Sequence, residues 1–406
     1  MVDVNLSGSA LPTATRRAKD SYTRPLNTHT MSKATDERAR SIEGLDVVVD
    51  ADAHVREGFD DLVPYIDERY GAVRKIVEAT ERPLADIYSI THATPPFPFA
   101  ENVQEGGSSD NVGGEYAPGE KLEELREFGI DYGVLDPTLN LGLPTVENPQ
   151  MAVALANAYN SWILDTYTDD NEAFVSNVLV SHKRPAEAAE EIDRRADEDD
   201  MVGVQIPSTG VLPPLGDPQY DPIYEAAEDN GLPVVLHGGN LATSHAFPTQ
   251  RQWNESYTEN HVITHPFGHM WHASTMLVRG VPARFPDLDF VFQEAGVAWV
   301  PYFVWRMDDH YLELSHEFHL DRLPSEYVEE QFHFTTQPLG HTKDPTHLAR
   351  AIELAGPDNV MYASDLPHSD FDPPEELFAR IDGQFEAATV RGMMGETAAD
   401  VFDLPL

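Results

Sequence analysis

The chain has 406 residues, with 27 basic side chains against 70 acidic ones and a net charge of −43. Such a surface repels a backbone polyanion, which excludes nucleic acid as a partner, and no apolar run approaches the ~20 residues that a membrane helix needs. There is no cysteine, so disulfides, thiolate nucleophiles, zinc–thiolate sites and iron–sulfur clusters are excluded, and any metal must rest on His, Asp, Glu or backbone oxygen.

In chain order, residues 1–44 are rich in Ser, Thr, Arg and Ala without periodicity and read as a disordered or loosely docked arm. No apolar stretch follows Arg16 and Arg17, so a secretory signal is not expected and the chain is expected to be cytoplasmic. Residues 45–406 read as one domain. Its short apolar runs are LDVVVDADAH (Leu45–His54), DYGVLDPT from Asp131, FVSNVLV (Phe174–Val180), VGVQIP (Val202–Pro207), LPVVLHGG (Leu232–Gly239), LDFVFQEAG (Leu288–Gly296), FHFTT (Phe332–Thr336) and NVMYASD (Asn359–Asp365). Several are continuous rather than alternating, as parallel strands covered on the outside should be.

Helical patterns fall between these runs, at Asn148–Thr168, Pro185–Ala196, Pro222–Asn230, Trp299–Leu314 and Pro345–Ala355. Pro185, Pro222 and Pro345 sit where a first turn tolerates proline, and Gly231 and Gly356 where helices end. Strand–helix alternation of this kind predicts an α/β fold, a (β/α)₈ TIM barrel. An open doubly wound sheet is the alternative, although no GxGxxG or GxxxxGK[ST] loop supports a nucleotide-binding version of it. The stretch 56–119 is long for one connection and reads as an insertion or lid, with TPPFPF (Thr94–Phe99) over the barrel mouth and GGSSDNVGG (Gly106–Gly114) mobile.

Active residues of such a barrel lie at the C-terminal ends of its strands. The first run ends in Asp52 and His54, two apart and so on one side of an extended backbone. The fifth ends in His237 before Gly238 and Gly239, the sixth in Glu294, and the eighth in Asp365 followed by His368. Each has a plainer reading alone: a surface pair, a hydrogen-bonded core histidine, a helix N-cap. Their order and placement predict a shared metal site of Asp52, His54, His237 and Asp365. Two imidazoles and two carboxylates suit one divalent Zn, Mn or Fe ion.

His265, His269 and His272 follow at helical spacings, with His261 one turn earlier. They form either a substrate clamp or second metal site at the mouth, or a polar helix face. His368 could orient Asp365 or touch substrate. Arg306 with Asp308 and Asp309 reads as an ion pair or helix face. The aromatic run Trp299, Tyr302, Phe303 and Trp305 reads as barrel packing.

These residues carry a resemblance. VVVDADAHV, VVLHGGN, THPFGHM with RFPDLDFVFQEAGVAWVPYFVWRMDDHY, and YASDLPHSD resemble the amidohydrolase-related family, the branch of the amidohydrolase superfamily that includes aminocarboxymuconate semialdehyde decarboxylase and γ-resorcylate decarboxylase. The likeness runs from Leu45 to the C-terminus, where GETAADVF resembles a closing GxNAxxxF helix with Thr397 in place of Asn. The resemblance implies a metal held by Asp52, His54, His237 and Asp365. It departs from the better-known decarboxylases at the end of the sixth strand, where they carry an acid/base histidine and this chain has Glu294.

The expected function is therefore a metal-dependent hydrolase or non-oxidative decarboxylase of a small carboxylated or carbonyl substrate. Glu294, His265 and His368 are the catalytic candidates and His269 and His272 the substrate-binding ones. A dinuclear-metal oxygenase, with Glu294 and one or more of the histidines completing a second site, is an alternative. A non-catalytic barrel binding protein is another. A small-molecule substrate is the expected partner, with no nucleic acid and no membrane. Homo-oligomerisation is open, since members of the resembled family often dimerise. Lysine is confined to Lys19, Lys33, Lys75, Lys121, Lys183 and Lys343, and acids are spread throughout the chain. This favours a halophilic surface, screened at a Debye length of about 3 Å in 1 M salt, over an acidic partner-binding one.

Overall fold

The apolar runs become eight parallel strands: β1 (Val49–Val55), β2 (Tyr132–Pro137), β3 (Phe174–Leu179), β4 (Met201–Pro207), β5 (Val234–His237), β6 (Phe290–Gln293), β7 (Phe332–Thr335) and β8 (Val360–Met361). They belong to a computed structural model, which describes residues 42, 44–80, 117–169, 171–239, 257–368 and 370–405. The strands pair in sequence order from β1 to β8. Main-chain bonds join the two ends: Ala51 N–H to Tyr362 O at 3.0 Å, Asp365 N–H to Asp52 O at 2.9 Å and His54 N–H to Leu366 O at 2.9 Å. The fold is a (β/α)₈ TIM barrel.

Inside the barrel, polarity changes along each strand. Val49, Ala51, Val134, Val175, Val235, Val291 and Met361 form an apolar floor, packed against Ala398, Ala399, Phe402 and Leu404 of the C-terminal segment. Two residues further along the same strands, and hence on the same side, stand Asp136, Asn177, His237 and Gln293, all buried. Strand periodicity thus places an apolar plug at one end of the barrel and polar chemistry at the other. A second core fills the space between strands and helices, with Phe290, Phe292, Phe332 and Phe334 fully buried. Truncating one of these to Ala costs ~3–5 kcal/mol through lost burial and the cavity left behind.

Helices appear where proline and glycine punctuate the sequence: Pro149–Ile163, Pro185–Arg195, Asp221–Asp229, Val300–Leu314 and Thr346–Ala355. The first is capped by the Asn148 side chain, which accepts from Gln150 N and Met151 N, and it runs on as a wider turn over Leu164–Thr168. Further helices span Pro118–Phe128, Pro324–Gln331 and Pro374–Ile381. The aromatic run splits by helical period: Trp299 and Phe303 are buried, whereas Tyr302 and Trp305 are 60% and 59% exposed. Only half of that run is packing. Arg306 pairs with Asp309 at 2.6 Å.

The eighth strand is shorter than expected. It ends at Met361, and Asp365 adopts φ 61°, a left-handed conformation no strand accommodates. Of the 56–119 insertion, residues 56–80 carry short helices, including Phe59–Leu62 and Gly71–Thr80. TPPFPF and GGSSDNVGG lie outside the described residues, as does the 1–44 arm apart from residues 42 and 44.

Candidate metal centre

Three strands, β1, β5 and β8, deliver the central cluster from their C-terminal ends. A shift in the β1–β2 register falls between Asp50 and Ala53, the stretch of β1 that carries Asp52; bulges of this kind re-aim side chains beside functional sites. Asp52 Oδ1 lies 3.1 Å from His237 Nε2 and 3.2 Å from His54 Nε2. His54 Nε2 lies 3.2 Å from His237 Nε2 and 3.3 Å from Asp365 Oδ1. All four side chains are buried.

Tautomers follow from the second nitrogens. His54 Nδ1 is 3.0 Å from Pro137 O and His237 Nδ1 is 2.6 Å from Gly238 O. A carbonyl only accepts, so both Nδ1 atoms carry hydrogen and both Nε2 atoms, when the rings are neutral, present lone pairs. Two lone pairs and two carboxylate oxygens then converge on one region, which suits a cation. Ligand bonds of about 2.0–2.2 Å separate neighbouring donor atoms by about 3–3.5 Å. The distances of 3.1–3.3 Å match that spacing, and Asp52 Oδ2 is buried with no hydrogen-bond partner among the described residues. The residues present fit a divalent metal.

Next to this cluster lies a second group. Glu294 Oε2 is 3.3 Å from His265 Nε2 and 3.6 Å from His237 Nδ1. His265 reaches it because residue 238 is glycine: a Cβ there would stand 2.2 Å from His265 Cδ2. His261 Nε2 is 3.5 Å from Asp370 Oδ2. Glu294 (φ 57°) and Asp365 (φ 61°) are left-handed although neither is glycine. That backbone region is sparsely populated by such residues and recurs at functional sites.

His368 ties the two groups together. Its ring lies over His54, with centroids 4.3 Å apart, and its Nδ1 is 2.5 Å from Asp365 Oδ1. Its Nε2 meets Thr138 Oγ1 at 3.2 Å, while the Thr138 hydroxyl donates to Val55 O at 2.7 Å. Thr138 therefore accepts from His368 Nε2–H. In a neutral ring Nδ1 is then an acceptor facing the Asp365 carboxyl.

Two of the sequence candidates stand apart. His272 uses both nitrogens on the main chain, Nε2 to Ser208 O at 2.9 Å and Nδ1 accepting from Leu215 N at 3.2 Å. His269 Nε2 donates to Gln293 O at 2.7 Å. Other buried groups escaped sequence reasoning. Asp50 accepts from the Ser364 amide and hydroxyl, and Lys121 Nζ donates to Leu366 O at 2.8 Å. Gln293 Nε2 donates to Ala51 O and to Asp136 Oδ2, each at 2.7 Å, and Gln337 Nε2 donates to Asp365 Oδ2 at 3.1 Å. Asp370 was missed too, although it closes the quoted YASDLPHSD motif.

Electrostatics follow the crowding. Burial alone would raise the Asp52 carboxyl, but His237 and His54 hold it down at about 2. Burial would lower both imidazoles, and Asp52 instead lifts His54 and His237 to about 9. These values describe the metal-free cluster, where a proton takes the place a metal would fill. Asp365 is pushed well above the carboxylate range by burial and by Glu294, Asp370 and Asp52, and His368 well below the imidazole range by burial and His54. Both directions place a proton on Asp365 rather than on His368, in agreement with the Thr138 bond. Burial would raise Glu294, but His265, His237 and His368 hold it well below its ordinary value.

A family profile described as Amidohydrolase matches residues 49–404. Among solved structures, the chain is similar to 5-carboxyvanillate decarboxylase from Sphingomonas paucimobilis, at 23% identity and TM-score 0.66 over 88% of this chain and 99% of that one. It is similar to an amidohydrolase from Mycobacterium avium subsp. paratuberculosis, at 18% identity and TM-score 0.66 over 91% and 100% of the two chains. It is also similar to a dihydroxybenzoic acid decarboxylase from a Polaromonas species, solved with bound manganese and the inhibitor 2-nitroresorcinol, at 16% identity and TM-score 0.64 over 89% and 98%. At these identities the likeness is one of fold.

Proposed function

The chain belongs to the amidohydrolase family, and from that premise we propose that it is a metal-dependent enzyme acting on a small carboxylated substrate, by non-oxidative decarboxylation in the leading reading. The observation that supports it most is the convergence of His54 Nε2, His237 Nε2, Asp52 Oδ1 and Asp365 Oδ1 at 3.1–3.3 Å. Asp52, His54, His237 and Asp365 would hold the metal. When bound, a divalent ion would supply Lewis acidity to a substrate oxygen or lower the pKa of water to about 7. The manganese of the Polaromonas structure suits the same hard and borderline donors.

The protein's own groups supply the rest. Pro137 O and Gly238 O fix the two imidazole tautomers, so each Nε2 is ready to ligate. His368, with Nδ1 2.5 Å from Asp365 Oδ1 and its ring over His54, would orient Asp365 as a ligand. Glu294, at the end of β6, is the group placed for proton transfer. His265, 3.3 Å from Glu294, orients it or meets the substrate. His269 and His272 are assigned to holding the helix Tyr257–Val278 against the barrel through main-chain contacts rather than to substrate binding.

Hydrolysis is the second reading, favoured by Glu294 itself. Its carboxyl is held anionic beside three imidazoles, which suits a base activating water better than an acid delivering a proton to carbon. A screen of the manganese-loaded full chain decides between them. Release of CO₂ from hydroxylated benzoates supports decarboxylation, whereas acid release from lactones or esters without CO₂ supports hydrolysis. Full activity in a metal-free Asp365→Ala protein overturns both.

A further inference from the structure

Alternation along β1 sends Val49 and Ala51 into the barrel floor, and Val48, Ala53 and Val55 into the core between strands and helices. Asp50 stands between the two floor residues, so its carboxylate points to that outer, apolar side, where it is fully buried. A carboxylate buried there is costly unless hydrogen-bonded, and its partners are specific. Asp50 Oδ1 accepts from Ser364 N at 2.8 Å and from Asp52 N at 3.2 Å, and Oδ2 accepts from the Ser364 hydroxyl. Ser364 Oγ in turn accepts from Leu366 N at 2.9 Å. One side chain thus grips the main chain of Asp52 and, directly or through Ser364, both neighbours of Asp365.

We propose that Asp50 is a positioning residue for the metal centre: not a ligand itself, it sets the separation of the two carboxylate ligands, Asp52 and Asp365, by tying the backbone beside each. The inference rests on the metal-centre reading. Both tied points are irregular. The register shift in β1 turns Asp52 into the barrel although it lies two residues from the outward Asp50, and Asp365 holds φ 61°. Asp52 and Asp365 must stay on either side of His54 Nε2, 3.2 and 3.3 Å from it. Like charges held that close separate when their backbones are free to move. The plainer role for Asp50 is counter-ion to Lys121, whose charge acts on it. A counter-ion needs only proximity, whereas three directed hydrogen bonds to the ligand-bearing backbone fix a geometry.

The test separates position from charge and from stability. The full chain and its variants are stripped with chelator and titrated with Mn(II), and EPR reads the bound ion. Asp50→Asn keeps an oxygen for the two main-chain N–H groups and drops the charge, while Asp50→Ala drops both. The manganese dissociation constant should rise about 10–100-fold in Asp50→Ala, the usual cost of removing a group that supports a ligand. The spectrum of the bound ion should broaden with it, and Asp50→Asn should recover most of the affinity. Ser364→Ala deletes the hydroxyl link but keeps the Asp50 charge, so it should also weaken binding, and it carries the test if Asp50→Ala does not fold. Val175→Ala, in the barrel floor, is the control: it should lower the melting temperature and leave manganese binding alone. A loss in Asp50→Asn as large as in Asp50→Ala would assign Asp50 to charge and overturn the proposal. So would unchanged affinity and spectrum in Ser364→Ala, or an equal loss in Val175→Ala. No manganese bound by the unmutated chain overturns the metal-centre reading itself.

Discussion

His54 and His237 turn their Nε2 atoms toward each other across 3.2 Å, although each already donates from Nδ1 to a main-chain carbonyl. Two neutral imidazoles gain nothing from that approach unless something positive lies between them. His237→Ala should therefore remove the metal held with Asp52, and Pro137 O and Gly238 O should matter only through ring orientation. Elemental analysis of the variant checks this. Undiminished binding would mean that the pair is held together by a proton alone.

Glu294→Gln keeps the shape of the side chain and removes its charge. Activity on an identified substrate should fall by about 10²–10⁴-fold, the usual contribution of a positioned acid or base. The kcat profile should also lose the limb that belongs to this group. Retention of both the rate and the profile would free Glu294 from any role in the reaction.

Lys121 is buried, with its ammonium bonded to Leu366 O and 3.7 Å from Glu124. Burial brings its pKa down to about 7, against the pull of Asp50. Lys121→Met should destabilise the fold by about 3 kcal/mol, because the acidic groups around it lose their counter-charge. Since Leu366 adjoins Asp365, metal affinity should weaken by about 10-fold. Denaturant unfolding and metal titration measure the two effects separately.

Buried histidines contribute to acid behaviour, His182 and His272 among them. Burial lowers His182 to about 3 and His272 to about 4, from an ordinary value of about 6.5. An unfolded chain binds protons at both sites below pH 6.5, while the folded one does not until much lower pH. Their contribution is fully present above pH 6.5 and is lost as pH falls from there toward about 4. Each group contributes about 1.4 kcal/mol per pH unit across that window. Thermal midpoints should drop steeply below pH 6.5, and His272→Gln should flatten the slope. An unchanged slope in that variant would remove His272 from the account.

A net charge of −43 predicts self-repulsion that salt relieves. Raising KCl from 0.1 M to 1 M shortens the Debye length from about 10 Å to about 3 Å, so the thermal midpoint should rise across that range. Sucrose, which carries no charge, serves as the control. Equal effects of salt and sucrose would argue against the halophilic reading.

The barrel was legible because it is written in local patterns. Continuous apolar runs mark strands, and prolines such as Pro185 and glycines such as Gly356 mark helix ends. Asp52, His54, His237 and Asp365 were legible because strand ends in this architecture face one axis. The helix histidines were not separable by spacing. His265 and His272 share a face, but seven residues carry them about 10 Å apart along the helix, so one reaches Glu294 while the other meets the main chain of Ser208 and Leu215. Lys121 and Asp370 depend on where a long connection and a turn come to rest, which no periodicity encodes. The length of β8 was overread because apolar residues continue past the point where Asp365 must reverse the backbone.

The left-handed backbone at Glu294 and Asp365 bears on how this protein can be improved. A non-glycine residue held there costs of the order of 1–3 kcal/mol, so glycine at either position would relax the chain while deleting a carboxylate from the centre. A laboratory selection that rewards heat resistance alone would drift toward those two substitutions and return a sturdier, inert barrel. Engineering of this scaffold has to screen for turnover alongside melting temperature, and thermostable variants should be sequenced first at residues 294 and 365.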